Sequence, residues 1–220
     1  MTTEDLIERL GHYLVPVRPL APPWTRAAAW LAYAGAYVGA VVLLTWLRGR
    51  SLGTSGASSG AYLAQQAALV VTAVSAAAAA FASVIPAGSR RPFNAALTSS
   101  AVVIAALAWG CVADVHVQGT LGIGRETDWP CVVSIALGGI IFWAAAAAML
   151  RRGAPLTPRS SSLLAGVAAF SVANLEACLS RSHAFNVTIL LWHGVTTALI
   201  LAATVPLGDR VLAWKTKELH

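Results

Sequence analysis

Charge is scarce in this chain: Asp, Glu, Lys and Arg together make up 11% of its residues, against 57% hydrophobic ones. A water-soluble domain of this size would carry far more polar surface, so the scarcity points to lipid as the main solvent. Closely spaced cysteines are missing as well. Cys111, Cys131 and Cys178 stand far apart, and there is no Cys-x-x-Cys or His-x-x-x-His pair of the kind that marks a preformed zinc site or a thiol-exchange loop. Catalytic triads, phosphate-binding loops and paired carboxylates are also absent from the sequence, and its few acids are too scattered to nominate an active site. The expectation is therefore a protein that is not an enzyme. Neither an internal repeat nor the paired broken helices of many transporters can be found.

What the chain has instead is six long apolar runs. The clearest, Ala27–Leu47, contains no charge and, at about 1.5 Å per residue, matches the roughly 30 Å of hydrocarbon in a bilayer. The others run approximately over Tyr62–Ile85, Phe93–Val112, Cys131–Leu150, Leu163–Leu179 and Val187–Leu207. Backbone groups in lipid must be satisfied within a helix or around a closed barrel, and barrel strands alternate apolar with polar residues. These runs do not alternate, so an all-α polytopic six-transmembrane-helix bundle is predicted. The first run is too long for a cleaved signal peptide and follows the polar stretch 1–26.

Basic residues give the orientation. With the N-terminus inside, Arg9, Arg18, Arg26, Arg90, Arg91, Arg151, Arg152, Arg159, Arg210, Lys215 and Lys217 fall on the inner side, and only Arg48, Arg50, Arg125 and Arg181 on the outer. Both termini are thus expected in the cytoplasm. The same bias accounts for the net charge of +6 without any direct nucleic-acid partner, since no soluble stretch is large enough to present a basic reading face. The organisation expected is a cytoplasmic N-terminal segment over 1–26, a six-helix transmembrane domain over 27–208 and a cytoplasmic tail over 209–220. Small residues, among them Gly35-x-x-x-Gly39 and Ala76–Ala80, favour close helix packing. Trp24, Trp30, Trp46, Trp109, Trp129, Trp192 and Trp214 lie near span ends, as an interfacial belt would place them. The longest outer loop is predicted over Ala113–Pro130.

The N-terminal segment is built differently. Thr2 can cap a helix with Asp5 three residues on, and Leu6, Ile7, Leu10 and Leu14 then recur at spacings of three and four, on one stripe, with Glu4, Asp5, Glu8, Arg9 and His12 largely opposite. Pro16 disfavours continuation, Val17 and Leu20 follow, and Pro22-Pro23 leads to Trp24. Leu6, Ile7, Leu10, Leu14 and Val17 are the candidate partner-binding residues. The stripe suits either a partner protein or the membrane and the bundle's own inner turns, although an acidic start is unusual for a leaflet-bound helix.

Several strings, taken in order, carry a family resemblance: Met1-Thr2-Thr3-Glu4-Asp5-Leu6-Ile7, Pro16-Val17-Arg18-Pro19-Leu20, Gly110-Cys111, Asp128-Trp129-Pro130-Cys131, Arg151-Arg152-Gly153-Ala154-Pro155-Leu156 and Leu190-Leu191-Trp192-His193. Across nearly its whole length the chain resembles the NrsF family, negative regulators of sigma F. The resemblance implies a bacterial inner-membrane anti-sigma factor that holds an extracytoplasmic-function (ECF) sigma factor inactive until a stress signal releases it. Such a role needs no catalytic group and no resident cofactor. It needs an apolar cytoplasmic surface, and burying four aliphatic side chains yields about 6–12 kcal/mol gross, much of it offset by ordering the segment and losing rigid-body freedom. Unlike larger soluble anti-sigma domains with a His-Cys metal cluster, this segment has no cysteine before residue 27.

All three cysteines are predicted at the outer, oxidising side, where disulfides persist. By resemblance, Cys131 and Cys178 are the signal-sensing pair, with Cys111 as a further partner. Cys131, Cys178 and His183 are candidate ligands for a transient soft metal ion, with Glu176, His193, Asp128 and His116 nearby, and the residues alone also allow plain buried thiols. Glu176 is expected to pair with Arg181, to snorkel outward or to bond with His193, as a structural clamp more than a proton path. A signal at the thiols would then repack spans three, four and five and loosen the N-terminal docking surface. The competing readings are a membrane thiol oxidoreductase, disfavoured by the separated cysteines, and a small transporter, disfavoured by nearly apolar spans.

Overall fold

The computed structural model describes residues 2–12, 20–49, 59–85, 90–120, 129–181 and 186–212. Every regular element among them is helical: α1 (Thr3–His12), α2 (Pro23–Leu47), α3 (Ser59–Ala82), α4 (Arg91–Gln118), α5 (Trp129–Arg151), α6 (Pro158–Ser180), α7 (Asn186–Thr188) and α8 (Val195–Leu212). A π-helical turn over Ile189–Gly194 joins the last two. Six rods are long and apolar enough to cross a membrane, the sixth running over Asn186–Leu212, so the chain is a multi-pass membrane protein of all-α type.

The helix starts follow local chemistry. α2, α4 and α6 each have proline in the first turn, where a missing N–H costs nothing. α4 continues past the end expected at Val112, as far as Gln118, because Gly119 supplies the left-handed stop at φ 69°. The outer loop is shortened accordingly, and Cys111 and Asp114 lie within a helix. α8 likewise passes through Pro206 and ends at Leu212.

α6 sits at the centre, packed against α2, α3, α5 and α8, while α4 lies on α3 and α7 at the periphery. Small side chains make this possible. Ala165, Ala168, Ala169 and Ala173 of α6 and Ala76, Ala77 and Ala80 of α3 are buried, and the larger Trp30, Phe81, Phe142, Trp143 and Leu150 fill the gaps between rods. Large apolar side chains such as Leu43, Val71, Ile104, Ile141 and Leu199 point outward, as a lipid-facing surface requires.

Two expectations about packing need correction. Trp30 is no belt residue: it is 1% exposed, donates Nε1–H to the Phe142 carbonyl at 3.1 Å and meets the Phe142 ring edge-on. Among the described residues, nothing lies within 4 Å of where a Cβ on Gly35 or Gly39 would project, so their motif makes no close helix contact there. Trp24, Trp46 and Trp129 are exposed near helix ends, as a belt demands, while Trp109 is exposed well inside α4, because that helix runs on to Gln118; Trp214 lies outside the described residues.

Candidate functional site

The rods alternate in direction, which gathers arginines at one end of the bundle and cysteines at the other. At the cysteine end, Cys178 lies near the last turn of α6 and Cys131 near the first turn of α5, both buried, while Cys111 in α4 is half-buried. Cys131 packs with Ile135, Phe170, Ala173 and Ala177. Cys178, next after Ala177 and turned by about 100° around the helix, belongs to a separate cluster with Tyr62, Leu107 and Ile189. The two thiols that the resemblance pairs thus meet neighbouring faces of α6, Cys178 as part of that helix and Cys131 packed against it from α5.

Around Cys178 the contacts are polar. Its Sγ lies 3.8 Å from His193 Nδ1 and 3.8 Å from Gln65 Nε2, and its carbonyl accepts a hydrogen bond from Tyr62 Oη at 3.2 Å. His193 reaches this position from the π-helical turn, a geometry often found at functional positions. Beyond a rough depth along the sixth span, nothing in the sequence announced that turn. Glu176, one turn before Ser180, accepts a hydrogen bond from Ser134 Oγ at 2.9 Å across the α5–α6 seam, a partner that the sequence reading did not propose. Among the described residues, no three of His, Cys, Asp and Glu converge on a point that could hold a metal ion. The candidate ligand His183 and the neighbouring Asp128 lie outside the described residues, and His116 is exposed in the last turn of α4.

A second polar contact at this end had been assigned to a loop. Asp114 is 1% exposed, and its Oδ2 accepts hydrogen bonds from the Asn186 backbone N–H at 2.6 Å and from Asn186 Nδ2 at 3.0 Å. Gly110, one turn earlier, leaves the space that Asn186 fills: a Cβ there would stand 2.6 Å from Asn186 Cγ. The α4 stop at Gly119 was the sequence signal that could have placed Asp114 on a helix.

At the arginine end, Arg26 is 8% exposed; its guanidinium donates to the Met149 carbonyl and lies 5.1 Å above the Phe81 ring. Arg159 pairs with Asp209 at 2.6 Å, exposed and therefore worth little. Ser83 and Ser161 share a hydroxyl hydrogen bond at 2.6 Å. α1 precedes this end. Thr2 and Asp5 form the expected reciprocal cap, Thr2 N–H donating to Asp5 Oδ2 at 3.1 Å and Asp5 N–H to Thr2 Oγ1 at 3.3 Å. These bonds, the one from the Thr2 backbone first, hold the Asp5 carboxyl below the usual carboxylate range. Ile7 is 64% exposed, and among the described residues α1 makes no extended contact with any span. Leu6 and Leu10 belong to α1 by position, though the placement of their side chains is not described; Leu14 and Val17 lie outside the described residues.

The model of the family described as NrsF, negative regulator of sigma F, matches residues 10–214. No curated protein and no solved structure matches the chain.

Proposed function

The chain belongs to the NrsF family, negative regulators of sigma F, and on that premise we propose that it is an inner-membrane anti-sigma factor that sequesters an ECF sigma factor through its N-terminal segment. In this reading both termini are cytoplasmic, and the arginine-rich end faces the cytoplasm, as the positive-inside bias requires. The observation that carries the docking role is α1 itself: a capped helix with Ile7 exposed and acids on its other side, making no extended contact with a span among the described residues. An apolar side chain left exposed on a helix is available to a groove on a partner. Leu10, Leu14 and Val17 fall within the family match and Leu6 and Ile7 just before it.

The signal is read at the opposite end. Cys131 and Cys178, with Cys111 as a further thiol, undergo oxidation or capture of a soft metal ion, and the change alters how the third, fourth and fifth spans, α4, α5 and α6, pack. Support comes from the setting of Cys178, buried against His193 and Gln65, where a modified sulfur cannot be accommodated without moving helices.

The test is a pull-down of sigma F by the detergent-solubilised chain, paired with a sigma-dependent reporter in cells. Deleting residues 3–20 is expected to abolish capture and to raise transcription to the fully released level. Full repression by the deleted chain would end the docking assignment. Cys131→Ser with Cys178→Ser is expected to remove the response to oxidant and cadmium, and a normal response in that double variant would end the sensor assignment.

A further inference from the structure

We infer that Arg26 is the positioning residue of the N-terminal segment, a clamp that fastens its exit to the arginine-end tips of α3 and α5 and so ties the docking helix to the two rods that touch the thiols. The inference rests on the docking role proposed above.

The clamp is built from an unsatisfied helix end. α5 ends at Arg151, and the Gly153 N–H turns back to the Leu150 carbonyl at 2.8 Å, which leaves the Met149 carbonyl without its helical donor. Arg26 supplies the missing donor from α2 and places positive charge at the negative end of the α5 dipole. The same flat guanidinium lies over Phe81 in the last turn of α3. A planar fork can donate in its plane and stack through its face at once, and an ammonium cannot. Charge pairing does not hold Arg26: among the described residues it has no carboxylate partner, and the neighbouring Arg152 repels it.

A second contact lies upstream. Leu20, two residues before Pro22, reaches the turn after α5, where a Cβ on Gly153 would stand 3.2 Å from Leu20 Cδ2 and 2.5 Å from Val84 Cγ1. The chain leaving the docking helix is therefore seated on α3 and α5 at both Leu20 and Arg26. At their far ends, about 34 Å away for a helix of this length, α5 carries Cys131, and α3 contributes Tyr62 and Gln65 to the surroundings of Cys178. A tilt or slide of either rod at the thiol end must move the seat of the docking segment. By linkage, sigma binding must in turn change the reactivity of the thiols.

The experiment uses the full chain in detergent, wild type beside Arg26→Gln, Arg26→Lys and Leu20→Ala, with purified sigma F as ligand. Three quantities are read: backbone hydrogen exchange by mass spectrometry, affinity for sigma F, and the rate at which a maleimide alkylates Cys131 and Cys178 with and without sigma F. In Arg26→Gln, exchange over residues 20–28 and 150–156 is expected to quicken on the order of tenfold while α4 stays protected. Sigma affinity should fall on the order of tenfold, within the usual range of coupling between sites, and the effect of sigma F on alkylation should vanish. Arg26→Lys should lie between, because it keeps the charge and loses the fork. Leu20→Ala removes the second contact without burying an uncompensated group and should move the same three readouts less, which preserves the test if Arg26→Gln fails to fold. Unchanged exchange in Arg26→Gln overturns the clamp, as does wild-type affinity with wild-type coupling. If the wild-type chain fails to bind sigma F at all, the docking role falls, and the exchange measurement still decides whether Arg26 fastens residues 20–28.

Discussion

Asp114 and Asn186 make a close polar contact at the cysteine end, with two hydrogen bonds to one buried carboxylate oxygen and a glycine beneath them. Asp114→Ala leaves two Asn186 donors unmet and is expected to cost about 1–3 kcal/mol. Gly110→Ala forces a methyl into Asn186 and should cost about 1–3 kcal/mol by overpacking. Because both act through Asn186, the double variant should lose less than the two single losses added together. Thermal unfolding in detergent measures all three, and additive losses would show that the two residues act independently. Trp30→Ala, which removes a buried ring and its hydrogen bond to the Phe142 carbonyl, is expected to cost about 3–5 kcal/mol in the same assay. Such residue roles were only partly legible in sequence. The cap formed by Thr2 and Asp5 was, since both partners sit within one turn. Asp114 was not, since its partner is 72 positions away in the chain. Trp30 looked like a belt residue because distance from a span end says nothing about which way a side chain faces.

Among the elements, α1 and the π-helical turn behave in opposite ways. α1 is held by its own cap, so its stability depends on pH. Asp5 has its folded pKa depressed by hydrogen bonds from Thr2, so the stabilisation is fully present above the carboxyl's unfolded pKa and is lost as pH falls through the folded value. Helical amide shifts of residues 3–12 in the full chain are expected to fade on acidification through the carboxylate range. Asp5→Asn should flatten that dependence; an equal dependence in the variant would locate the effect elsewhere. The turn over Ile189–Gly194, by contrast, is fixed by tertiary contacts on both sides: Asn186 bonds to Asp114 before it and His193 meets Cys178 within it. Deleting Leu191 lets the segment revert to α-helix and rotates one contact about 100° away from its partner, so the loss of stability should be at least that of Asp114→Ala. A smaller loss would mean that the turn tolerates either register. No periodicity marks a π-helical turn, because one extra residue in a uniformly apolar run leaves the pattern unchanged.

For the molecule as a whole, topology is the first thing to measure. A reporter fused after residue 212 or before residue 3 is expected to be active only on the cytoplasmic side, and one inserted at residue 120 only on the outer side. A periplasmic N-terminus would reverse the assignment of both ends. By itself the sequence determined that the chain has six helices long and apolar enough to cross a membrane, and that its sulfurs and most of its arginines lie toward opposite ends of them. These follow from composition and spacing along one dimension, where hydrocarbon thickness and charge bias act on each segment separately. Only the tertiary structure decided that α6 is the central rod, that Cys131 of α5 packs on the face of it next to the one that carries Cys178, and that Arg26 caps α5. Contacts between helices in lipid depend on which small residues meet and at what depth, and a nearly uniform apolar sequence holds no one-dimensional record of that choice.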